Sequence, residues 1–203
     1  PAAIPTGHNN KGFFKRALMN LFIIAFMFGF VELYTFCLGS GNGLIGLTIS
    51  LAIISFWRTD IGIKPLQGAF VIWGSFLLTG GATFLASFHP AIGVFVNFAS
   101  IYIILTLTSH QPMAKAYYPI LSCYLFAQSS PVYGIDYGLR MIGIAGGGLI
   151  VAIIYYMRHR KVKRRRNITD IFRETHFCSI RTKFFIRLTT GLTIAMLIGD
   201  FYH

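Results

Sequence analysis

The stretch from Tyr137 to Arg166, YGLRMIGIAGGGLIVAIIYYMRHRKVKRRR, limits what this chain can become. Its first part is an apolar run of about twenty residues, enough for a helix to cross a ~30 Å hydrocarbon layer. Its second part, Arg158 to Arg166, is almost entirely Lys and Arg. Such a block resists transfer across a bilayer, so it is expected on the cytoplasmic side. The glycines inside the run invite close helix packing.

The rest of the composition agrees. Of 203 residues, 55% are hydrophobic and only 12% are charged, about half the charged share of a soluble domain. The net charge of +12 would fit nucleic acid in a soluble protein, but here it sits in short clusters between apolar runs. That placement favours retention on one side of a membrane, with contact to membrane lipid, anionic headgroups or a protein partner as a second use, over nucleic-acid binding. Three widely spaced cysteines, Cys37, Cys123 and Cys178, make neither a disulfide framework nor a zinc pattern. No signal peptide is visible in this stretch. The first residue is Pro1 and the last, His203, closely follows an apolar run, so the chain reads as a piece of a longer protein.

In order, a polar tail (1–12) precedes apolar segments at 13–38, 43–57, 67–88, 91–108, 117–128 and 137–157. A basic connector (158–183) follows, with a short helix expected at 170–176, and then a seventh apolar run from Phe184. The segment at 117–128 is short and contains Pro119; it reads either as a short crossing or as a re-entrant piece. Charge parity favours a crossing: Lys and Arg occupy alternate loops, while 39–42, 89–90 and 129–136 contain none. The expected fold is therefore an all-α polytopic helical bundle of the cell (inner) membrane. It has six spans, a cytoplasmic N-terminus and connector, and a seventh helix (184–203) opening a second block. A weak repeat relates FFKRALMNLFIIAFMFGF (13–30) to FFIRLTTGLTIAMLIGDF (184–201).

Few residues carry chemistry. Arg140 lies inside a span, where an ionisable group normally faces protein or water. It reads as an anion attractor or carboxylate partner, or as a side chain reaching back to the headgroups. Glu32 falls at similar depth and is its expected partner, as a static pair or as part of proton coupling. Asn97, mid-span, reads as interhelical glue or as a solute contact. Gly143, Gly146, Gly147 and Gly148 read as a packing surface, as do Gly80 and Gly81. Arg158, Arg160, Lys161, Lys163, Arg164, Arg165 and Arg166 are the candidates for contact with anionic lipid or a partner. No phosphate loop, metal motif or catalytic constellation is present, so neither an enzyme nor a cofactor is expected.

Several of these features together resemble the FUSC family, the fusaric-acid-resistance-like and aromatic-acid-exporter-like inner-membrane proteins. They are the short fifth segment followed by Ser130-Pro131-Val132, Leu139-Arg140 ahead of a glycine-rich span, the basic run, and the renewed start at Phe185-Ile186-Arg187-Leu188. The resemblance covers most of the chain and implies export of small, possibly aromatic, organic acids. On that reading the binding site lies near Glu32, Asn97 and Arg140, and Arg140→Ala abolishes efflux. The rival expectation is a non-transporting scaffold or assembly subunit docked through its basic connector. A homo-oligomer is compatible with so short a block.

Overall fold

A computed structural model describes residues 10–108, 116–162, 166–173 and 180–201; side chains at 10–13, 90, 172, 200 and 201 are not described. Every regular element among these is helical: α1 (Asn10–Leu38), α2 (Gly43–Arg58), α3 (Pro65–Ala86), α4 (Pro90–Thr108), α5 (Tyr118–Ser129), α6 (Ile135–His159), α7 (Ile168–Arg173) and α8 (Ile180–Phe201). A one-turn 3-10 helix, Ser40–Asn42, joins α1 to α2. The fold is an all-α polytopic bundle, and six helices are long and apolar enough to cross a membrane: α1, α2, α3, α4, α6 and α8. The short helix expected at 170–176 forms earlier, at 168–173, and residues 174–176 lie outside the described segments.

The core is built around α6, which packs on α1, α2 and most extensively on α3. The glycines explain the closeness. A Cβ at Gly147 would collide with Ile49 of α2, one at Gly148 with Phe76 of α3, and one at Gly143 with Tyr34 and Leu38 of α1. Gly146 points into open space and packs on nothing, as does Gly81 in α3. Of the six glycines expected to pack, Gly143, Gly147, Gly148 and Gly80 do so. Trp73 Nε1 of α3 donates to the Ala145 carbonyl of α6, and Tyr137 Oη of α6 donates to the Gly80 carbonyl of α3. Along α3, Ser75, Thr79 and Thr83 return their hydroxyls to backbone carbonyls in the turns before them. That satisfies them in an apolar setting without an interhelical partner.

The helix α1 differs. Only Tyr34 is buried among its described side chains, held in the notch between Gly46 of α2 and Gly143 of α6. Phe14, Leu18 and Phe22 in its first half are all exposed.

The cations gather at one end of the bundle. Arg158 stacks over Trp57, the Lys64 N–H donates to the Arg166 carbonyl, and Gln67 Oε1 accepts from the Ile168 N–H. Arg181 donates to the Thr106 carbonyl near the end of α4. The other end, where α1 turns into α2, α3 into α4 and α5 into α6, holds no Lys or Arg except Arg140.

The direction of α5 follows from these contacts. The preceding helix α4 ends among the cations, whereas the C-terminal turn of α5 lies at Arg140. The helix thus runs from the basic end toward the charge-poor end rather than turning back. Twelve residues rise only about 18 Å, short of a full crossing, and protein surrounds much of it: Pro119, Ile120, Leu121, Cys123, Tyr124 and Ala127 are buried.

The last helix packs on α4 through Thr182, Phe185, Thr189 and Thr193. The repeat with α1 is not used in the same way: the equivalents of Phe185, Thr189 and Thr193 are Phe14, Leu18 and Phe22, all exposed.

Candidate functional site: a buried arginine at the charge-poor end

The end of α5 creates the problem that Arg140 solves. A helix C-terminus leaves its last carbonyls without N–H partners, which is costly where water is scarce. Arg140 reaches them from the second turn of α6. Its Nη1 donates to the Ala127 carbonyl at 3.2 Å and to the Ser130 carbonyl. Nη2 donates to the Gly41 carbonyl at 2.9 Å, and Nε to Asn42 Oδ1 at 2.8 Å. Asn42 is itself buried and is oriented by donating Nδ2 to the Leu38 carbonyl. One guanidinium thus joins the α1–α2 turn, the end of α5 and α6, and sits at the negative end of the α5 dipole. Gly134, with φ +62°, makes the turn that lets α6 begin close enough for this reach.

All four acceptors are neutral. Hydrogen bonds to carbonyls satisfy the N–H groups but leave a full positive charge, and among the described residues no carboxylate pairs with it. Of five guanidinium N–H groups, four are engaged, so Nη2 keeps one. Arg140 is 2% exposed and lines a cavity of about 260 Å³ open at the charge-poor end. The other walls include Phe84, Tyr133 and Tyr137, with Gln128 and Val132. The Gln128 Oε1 atom is buried with no hydrogen-bond partner.

The three residues singled out from sequence do not meet. Glu32 is exposed on the outer face of α1 and makes no ion pair with Arg140; the neutral acceptors above take its place. The seam of α1 runs through Phe30, Tyr34 and Leu38, and the 3.6-residue repeat turns Glu32 away from it. Asn97 is buried in α4, where its Oδ1 accepts the Tyr124 hydroxyl of α5 at 2.6 Å. That is the interhelical bond expected of a mid-span amide. Sequence reasoning passed over Asn42, because an Asn after glycine reads as turn residue. The signal was present only as an uncharged Gly-Asn turn facing the depth of Arg140.

At the opposite end, Tyr155 of α6 donates its hydroxyl to Asp60 Oδ1, which also accepts the Gly62 N–H, and Tyr155 stacks on His159. Of the cationic run, Arg158, Arg160 and Lys161 are exposed and Arg166 is half-buried; Lys163, Arg164 and Arg165 lie outside the described residues. Cys37 is exposed and Cys123 buried, with no disulfide between them, and Cys178 lies outside the described residues.

Comparison with protein-family models, with curated proteins and with solved structures gives no match. The functional reading therefore rests on the geometry alone.

Proposed function

We propose that this chain is the membrane block of a secondary transporter that exports small organic anions, in the manner of the FUSC-like exporters that its sequence resembles. The supporting observation is Arg140: a buried cation, held by four neutral acceptors, at the wall of a cavity that opens at one end of a polytopic bundle. A fixed positive charge with no protein carboxylate attracts an anion, and the aromatic walls suit its apolar part. By the positive-inside rule the Lys- and Arg-rich end is cytoplasmic, so the cavity opens outward, where an exporter releases its cargo. The cell (inner) membrane is the expected location.

Flux from proteoliposomes loaded with benzoate tests this. The chain should release benzoate faster than protein-free vesicles, and Val132→Trp, which fills the cavity from its wall, should remove most of the excess. Equal rates with and without protein overturn the reading. Arg140→Ala is a poorer test than it seems from sequence, because it also orphans four acceptors.

A second reading is favoured by the exposed cations Arg158, Arg160 and Lys161 and by the uncovered face of α1. On it the chain is a non-transporting scaffold or assembly subunit that docks a partner or anionic lipid. A protein that moves no benzoate, and whose Arg158→Gln/Arg160→Gln/Lys161→Gln variant loses binding to phosphatidylglycerol vesicles, fits that reading instead.

A further inference from the structure

The cavity at Arg140 has a neighbour. Gln128 and Pro131 line it and also line a second, larger space of about 650 Å³ between α5 and α8. The remaining walls of that groove are almost wholly apolar, with Leu125 and Phe126 on one side and Leu192 and Met196 on the other. Its origin is physical. The 22-residue α8 packs on α4 but not closely on α5, so a gap remains between α5 and α8.

We infer that the anion taken by this chain is an amphiphile, a carboxylate on an acyl chain, with its head at Arg140 and its tail in the α5–α8 groove. The inference rests on the anion-transport reading above and names the class of cargo.

Three observations carry it. The head site has an unneutralised cation with one N–H to spare, which selects an anionic oxygen over a neutral one. The tail site is apolar and adjoins the head site, with Gln128 and Pro131 as the wall common to both, so a molecule that occupies both passes over these two side chains. The groove is also lined by exposed Ala195 and Gly199 of α8 and so opens at the side of the bundle. The unpartnered Gln128 Oε1 stands at the junction, where a protonated carboxyl would donate to it. A carboxylic acid in its two protonation states thus fits both polar features.

The probe is decanoate carrying a diazirine, photolysed with the purified full chain in lipid nanodiscs. Labelling should map to peptides of α5 and α8 around 125–131 and 192–199. Unlabelled decanoate should compete about tenfold better than decanol, which has the same chain length and no charge. Ala195→Trp, an exposed groove-wall substitution remote from the guanidinium, should cut labelling at least fivefold. Melting temperature reports whether that variant remains folded, and Ala195→Leu serves as the milder version.

Decanol competing as well as decanoate, labelling scattered over all helices, or labelling unchanged in both Ala195 variants would each overturn the inference. The benzoate assay separates this outcome from failure of the transport reading. Benzoate export without site-specific decanoate labelling sinks the amphiphile alone. Charge-dependent decanoate labelling without benzoate export sustains the site and removes the small-anion export reading.

Discussion

The two ends of α6 handle charge in opposite ways. At the charge-poor end a lone cation is enclosed and shared among backbone carbonyls and one amide. At the basic end the cations Arg158 and Arg160 stand in the open, and a carboxylate, Asp60, is the charge held by α6 through Tyr155. One end puts its charge into architecture; the other leaves it on the surface. The difference teaches that density of charge is a poor guide to structural weight. One arginine joins three elements, whereas Arg158 lies over a single Trp57 ring.

Arg140→Met should show the largest effect of any substitution along α6. It keeps bulk but strands four acceptors, each costing about 1–3 kcal/mol when buried and unpaired. The variant should fail to accumulate as a monodisperse species on size-exclusion chromatography, and Arg140→Lys should recover it only in part, since an ammonium lacks the planar fork. A Met variant as stable as the parent would erase the contrast between the ends. Between them, Gly147→Val should cost about 1–3 kcal/mol by forcing Ile49 aside, read as a lowered melting temperature. Gly146→Val, facing open space, should leave that temperature nearly unchanged.

How much of this was legible beforehand depends on the interaction. The spans were legible because apolar runs bounded by Gly, Pro and charge admit few alternatives: 43–57 became Gly43–Arg58 and 91–108 became Pro90–Thr108. The importance of Arg140 was legible too, since no charge enters an apolar helix cheaply. Its partners were not. Depth matched Glu32 to it, but azimuth about the α1 axis decided otherwise, and azimuth is set by where Tyr34 finds its glycine notch. Backbone carbonyls leave no mark in a sequence, so three of the four acceptors had no readable signal. The cavity was equally hidden, because it comes from how the ends of α3, α5 and α6 meet.

The basic end sharpens the comparison on a smaller scale. Tyr155→Phe removes a hydroxyl bonded to Asp60, which retains the Gly62 N–H, and should cost about 1–2 kcal/mol in a denaturation midpoint. Smallest of all, Arg158→Gln gives up an exposed cation over Trp57 and should shift stability by about 0.5 kcal/mol or less. An effect of Arg158→Gln rivalling that of Tyr155→Phe would mean that the surface charges brace the fold after all.

The abbreviated α5 has a consequence for its own surroundings. At 1.5 Å per residue its 12 residues cover about 18 Å, roughly a dozen ångströms less than a ~30 Å crossing. Arg140 ties its C-terminal turn to the α1–α2 turn, so the missing length falls on its N-terminal side. There Ala116, Tyr117 and Pro119 are buried, and α2, α3 and α4 flank the helix, so it starts enclosed by protein. A short helix of this kind is held in place by its neighbours rather than by its own reach.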